Sequence, residues 1–164
     1  MNLYERYYRI GKDGKKVWGK IGAGVLFTDG KKILLLKRNT KGDHFGTWSI
    51  PGGKVERGEN PVDGANRESK EECGFAGGRK FGHYDDTSGR HHFHTYFHEV
   101  EKPFDVNLSD EHSDYKWVNL NDVNKLKLHP RFAENWEYFK RKIHKHFPRI
   151  KSFSDWLDHK EKTN

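Results

Sequence analysis

Arg67 and the carboxylates Glu68, Glu71 and Glu72 stand together in the stretch NPVDGANRESKEECGF, the three acids at spacings of three and four residues. On a helix these spacings put all three on one face, where like charges crowd and destabilise the turn. Crowded carboxylate oxygens are what a hard divalent cation such as Mg²⁺ or Mn²⁺ prefers, so a metal cradle is one reading. A solvated acidic helix face is the other, and composition alone weights the two evenly. Arg67 can pair with Glu59 or Glu71 and hold them in place.

The elements that must position these groups are marked by the sequence. Asn60 is a good N-cap, Pro61 suits the first helical position and Gly74 falls where a left-handed C-cap glycine belongs, which predicts a helix over Pro61–Cys73. Upstream, IGAGVLFTDG and KKILLLKRN read as two central strands joined by a turn at Asp29-Gly30, followed by the loop TKGDHFGTWSIPGGK. Downstream, HHFHTYFHEV and YKWVNL read as strands and NDVNKLKL as a short helix. Beyond Pro130, Phe132, Trp136, Phe139, Ile143 and Phe147 recur at helical spacing and predict a long amphipathic helix. Residues 1–19 look like a hairpin turning at GKDGKK, or equally a loose arm, and the polar tail DHKEKTN is expected to fray.

Spacing separates the two readings of the acidic face. From Gly53 the chain runs through five residues to Glu59, seven more to Arg67-Glu68, then Glu71-Glu72 and Gly74-Phe75. This resembles the Nudix box, Gx5Ex7REUxEExGU, where U is bulky and aliphatic, and the fixed letters all match. A chance match at a given start is on the order of 10⁻⁸. One departure is Ser69, where the family usually has an aliphatic residue packing the helix onto the sheet. The serine is expected to weaken that packing, so Ser69→Val or Ser69→Leu should stabilise by about 1 kcal/mol. The segment WSIPGGKVERGE also resembles the loop leading into the box in MutT-like members.

The resemblance covers roughly residues 20–147 and implies an α/β fold, an α/β/α sandwich around a mixed sheet, with a Nudix domain over 20–150 and an unexplained extension over 151–164. It implies hydrolysis of a nucleoside diphosphate linked to another group, with Mg²⁺ as cofactor and Mn²⁺ able to substitute. By position, Glu68, Glu71, Glu72 and the Gly53 carbonyl would be metal ligands, supported by Arg67 and Glu59. Glu68 is one candidate general base. Glu111, in SDEHSDYKWV, resembles the residue of a later loop that many members use, and is preferred here as metal ligand or base. A MutT-like pyrophosphohydrolase is the expected activity, acting on a nucleoside triphosphate, an oxidised one among the candidates, to give monophosphate and pyrophosphate. ADP-ribose, dinucleoside polyphosphates, RNA 5′ ends and non-hydrolytic nucleotide binding are the alternatives.

Other residues are candidates for substrate contact. Lys37 and Arg38 end the strand ILLLKR near the box and suit phosphate; Trp48 suits either core packing or stacking on a base. In RHHFHTYFHEV, His92, His94, Tyr96 and His98 share one strand face and Phe93, Thr95 and Phe97 the other. Histidines two apart could bind zinc, but no cysteine or third clustered ligand completes a tetrahedral set in the sequence. A polar face lining the cleft, with His94 as a contact, is preferred. FKRKIHKHFPRIK interleaves basic and aromatic residues; a buried stripe with solvated lysines explains it better than RNA binding, which stays open.

Bulk properties agree. Across 164 residues, 31 Lys+Arg against 24 Asp+Glu give a net charge of +7, favouring an anionic partner such as a nucleotide. Single Cys73 excludes an internal disulfide, no apolar h-region opens the chain, and no apolar run reaches membrane-spanning length, so a cytoplasmic protein is expected.

Overall fold

The computed structural model describes residues 8–10, 12–39, 44–89, 91–148 and 160. Strands β1 (Tyr8–Ile10) and β2 (Lys16–Trp18) pair as an antiparallel hairpin; residues 1–7 and 11 of the N-terminal arm and the 151–164 extension lie outside the described residues, save Lys160. Then follow β3 (Ile21–Thr28), β4 (Lys32–Arg38), β5 (Trp48–Ser49), β6 (Gly52–Lys54), α1 (Pro61–Cys73), β7 (Arg79–Asp86), β8 (His92–Glu99), β9 (His112–Asn119), a 3₁₀ turn at Val123–Lys125 and α2 (Pro130–His146). Among the described residues, β3–β9 form a seven-stranded mixed sheet in the order β5-β4-β3-β8-β7, with β6 added to β3 and β9 to β4. The central β3 and β8 run parallel from Ile21↔His92 to Thr28↔Glu99.

The near-continuous apolar runs of β3 and β4 are buried on both faces, as a sheet covered on both sides requires. Alternate residues go to opposite sides. Leu26, Ile33, Leu35 and Phe97 pack with Phe132, Trp136, Phe139 and Ile143 of α2, while Val25, Phe27, Leu34, Leu36 and Tyr96 pack with Ala65 and Cys73 of α1. Buried α2 side chains such as Phe139 and Ile143 each contribute about 1.5–3 kcal/mol of transfer free energy. This is the α/β/α sandwich, with one core on each side of the sheet. Arg141 and Lys145 of α2 are exposed, forming its solvated face. No helix among the described residues is long and apolar enough to cross a membrane.

Helix α1 has the bounds its caps predict. The Asn60 side chain accepts from the Asp63 N–H at 2.9 Å, and Gly74 closes the helix at φ 76°, where a side chain would be strained. Its buried face is built of Pro61, Gly64, Ala65, Ser69 and Cys73, small groups that let the helix lie close against the sheet. Ser69 corrects the sequence expectation. It is fully buried, and its hydroxyl donates to the Phe75 carbonyl just past the helix end, so it satisfies a backbone group that an aliphatic residue would orphan.

Candidate active site

Arg67 organises the carboxylates. Its Nε and Nη2 reach the two oxygens of Glu59 at 2.9 and 3.1 Å, a bidentate pairing, while Nη1 reaches Glu68 at 3.0 Å and Glu71 at 3.2 Å. Nη2 also donates to the Lys54 carbonyl at 3.0 Å, tying α1 to β6. These acceptors saturate the guanidinium, and they drive its pKa further above its ordinary value, first through Glu59. The Arg67 hydrogen bond in turn holds the Glu59 carboxyl below its usual range.

Glu72 is the opposite case. Only 4% exposed, it accepts from the Gly52 N–H at 2.7 Å. Burial pushes its pKa up to about 9, against that hydrogen bond, with the charges of Glu68 and Glu111 adding to the rise. Burial likewise raises Glu68, with Arg67 opposing. Two carboxyls that resist ionising side by side would gain from a cation set between them. Gly53 shows how tightly it is built: a Cβ there would stand 2.6 Å from the Glu68 carboxyl carbon. The set of carboxylate oxygens with a backbone carbonyl alongside fits a hard divalent metal.

These groups line a cleft of about 490 Å³. Gly53, Arg67, Glu68, Glu71, Glu72 and Glu111 line it, and so does Arg38, for which no ion pair is seen among the described residues. The exposed Glu111 comes from the loop before β9, whose carbonyl accepts from the Asn39 N–H. The same cleft is walled by Ile50, Phe93, Thr95, Phe132 and Phe139, with His129 and a polar group that sequence reasoning missed. There Asp86, at the end of β7, accepts from Arg131 Nε and Asn135 Nδ2, each at 2.9 Å, and from Ser88. Those donors outweigh burial and hold Asp86 well below the usual carboxylate range. No local signal could reveal this pair, because Asp86 and Arg131 are 45 residues apart.

Of the four substrate contacts expected from sequence, Arg38 lines the cleft and three do not. Trp48 is 6% exposed and packs in the α2-side core, with Lys116 Nζ 5.1 Å from its ring. Lys37, beside a register shift of β4 against β9, does not line the cleft. His94 projects from the face of β8 opposite Phe93 and Thr95, and so away from the cleft.

A mixed sheet between two helices, with the carboxylates of one helix opening on a cleft, defines an α/β protein with a metal-type site. The NUDIX domain model matches residues 19–141, and the chain belongs to the Nudix family. It is 31% identical over 144 residues to a protein of Mycobacterium tuberculosis named putative 8-oxo-dGTP diphosphatase 3, a match covering 78% of this chain. This chain spans 65% of that relative's length. The crystal structure of a MutT protein from Methanosarcina mazei Go1 superposes with a TM-score of 0.61 at 29% identity, covering 75% of this chain and 94% of the other. RenU, a Nudix hydrolase from M. smegmatis, gives a TM-score of 0.68 at 22% identity over 89% of this chain and 99% of its own, a likeness of fold. The chain is a MutT-like member, and Nudix hydrolases use divalent metal ions.

Proposed function

We propose that this protein is a Mg²⁺-dependent pyrophosphohydrolase that cleaves a nucleoside triphosphate, an oxidised one among the candidates, to a monophosphate and pyrophosphate. The observation that carries the reading is one cleft lined by two chemically distinct sets of groups: clustered carboxylates with Arg38, and an aromatic wall with Asp86, Arg131 and Asn135. A nucleotide has the matching polarity, phosphates at one end and a flat hydrogen-bonding base at the other. The name carried by the M. tuberculosis relative supports it.

Glu68, Glu71, Glu72 and the Gly53 carbonyl would hold Mg²⁺, with Mn²⁺ able to replace it. When bound, the metal supplies charge neutralisation on the diphosphate and stabilises charge on the attacking and leaving oxygens. Arg67, fixed by Glu59, keeps Glu68 and Glu71 oriented. Arg38 contributes a further positive charge toward the phosphates. Glu111 accepts the proton of the attacking water as its oxygen bonds to phosphorus; the bridging P–O bond breaks and pyrophosphate leaves with the bonding electrons. The base lies against Phe93, Phe132 and Phe139, within reach of the polar group around Asp86. A pure nucleotide binder is the weaker reading, because burying Glu72 beside Glu68 gives nothing to a protein that holds no metal.

The test is a panel of nucleoside triphosphates, ADP-ribose, dinucleoside polyphosphates and 5′-triphosphorylated RNA with Mg²⁺, with products separated by chromatography and oxygen-18 water marking the attacked phosphorus. Monophosphate and pyrophosphate from a triphosphate, abolished by EDTA, are expected. Inert triphosphates alongside cleavage of another compound would refute the substrate, binding without turnover would refute the enzyme, and full turnover in EDTA would refute the metal.

A further inference from the structure

The α1 side of the sheet, at its β7 edge, carries a side-chain group that hydrolysis does not use. Strands β7 and β8 run antiparallel with Asp85 opposite His94 and His83 opposite Tyr96. By alternation His83, Asp85 and His94 project together from one face, while Asp86, Phe93 and Thr95 line the cleft on the other. His83 Nε2 lies 2.7 Å from Asp85 Oδ1, and His94 Nδ1 is hydrogen-bonded to that same oxygen. One ligand atom from each of the three falls within 4.8 Å of the others. The rings are held near-parallel: His83 stacks on Tyr96 at 5.2 Å between centroids and lies 13° from the His94 plane.

We propose that His83, Asp85 and His94 form a second metal site, for a borderline transition-metal ion of the Zn²⁺ class, separate from the carboxylate cluster of α1. Two imidazole nitrogens and one carboxylate oxygen suit Zn²⁺, whereas the all-oxygen cluster of α1 suits Mg²⁺, so the two sites differ in the metal they select. With bonds of about 2.0–2.2 Å, ligand atoms around a tetrahedral ion stand roughly 3.3 Å apart, so the 2.7 Å contact between His83 and Asp85 widens slightly to admit one. The ion replaces the protons now shared with Asp85, and water or an incoming ligand takes the fourth position. The sequence could not show this set, because two of its members come from β7, an edge strand with little apolar pattern, and only His94 from the histidine-rich β8.

Co²⁺, a spectroscopic stand-in for Zn²⁺, tests the site when titrated into the full chain with Mg²⁺ in excess, followed by Zn²⁺ competition. Wild type should bind one equivalent with the visible absorption of low-coordinate Co²⁺, lost on adding Zn²⁺. His83→Ala and Asp85→Asn should each weaken binding by about tenfold or more, and Glu72→Gln should leave it unchanged. The two altered side chains are 48% and 41% exposed, and circular dichroism checks that the variants remain folded. Imidazole resonances provide a second readout, since His83 and His94 should shift on Zn²⁺ addition. Absence of binding by wild type refutes the site, as does wild-type affinity in His83→Ala and Asp85→Asn. Loss of the signal in Glu72→Gln alone would place the ion in the cleft and refute it equally.

Discussion

Replacing Ser69 inverts the expectation drawn from sequence and so tests the packing argument directly. Its hydroxyl is fully buried and donates to the Phe75 carbonyl, with Cys73 Sγ 3.5 Å away. Ser69→Ala removes the donor and leaves that carbonyl with only a long thiol contact, a loss of about 1–2 kcal/mol. Ser69→Val forfeits the same hydrogen bond and adds a branch in an enclosed space. About 0.8 kcal/mol per methylene is recovered only if the branch fits, and overpacking costs about 1–3 kcal/mol if it does not. The net expectation is again a loss of about 1–2 kcal/mol. Ser69→Thr keeps the hydroxyl and adds one methyl, separating the two effects. Urea midpoints and thermal melts at fixed pH measure them, each kcal/mol lowering Tm by about 2–4 °C in a chain of this size. A Ser69→Val variant as stable as wild type, or more so, would refute the claim that this hydroxyl closes the helix end.

Glu72→Gln replaces a carboxyl that burial forces to take up a proton near neutral pH when no cation is bound, so the metal-free protein should melt higher than wild type while kcat falls about a hundredfold; a lower melting point, or near-normal kcat, removes Glu72 from the metal cradle. Mg²⁺ should raise the melting temperature of wild type and leave Glu72→Gln unmoved, read by differential scanning. His98 is held below its ordinary pKa by burial, and His112 and His129 are pushed down to about 4, chiefly by burial. The unfolded chain therefore takes up these protons first: their contribution is complete above about pH 6.5 and declines as the pH falls toward 4, and a flat urea midpoint between pH 7 and 5 contradicts this. Asp86→Ala leaves the Arg131 guanidinium without its buried partner and should destabilise by about 3 kcal/mol in urea titration, whereas a loss under 1 kcal/mol would show that the pair is surplus.

Local chemistry was legible from the start. Asn60, Pro61 and Gly74 bracket α1 because caps act within one turn, and the stripe from Phe132 to Ile143 marks α2 because helical periodicity needs no knowledge of the partner surface. The spacing of Gly53, Glu59, Arg67, Glu68, Glu71 and Glu72 sufficed to read a Nudix box, since the helix converts spacing into a shared face. Strand β7 went unread: it is an edge strand whose mostly exposed side chains carry little apolar alternation. With it went Asp86, whose partners on α2 are set by how the helix crosses the sheet, and the convergence of His83 and Asp85 on His94, set by strand register. The sequence by itself determined which groups stand on each helix or strand and that α1 gathers its carboxylates on one face, because these depend on neighbours within a turn. Tertiary structure alone decided that Ser69 has a partner, that Trp48 is core, that His94 faces away from the cleft and that Asp86 meets Arg131. Each of these depends on contacts between elements, and no spacing along the chain encodes their distance or direction.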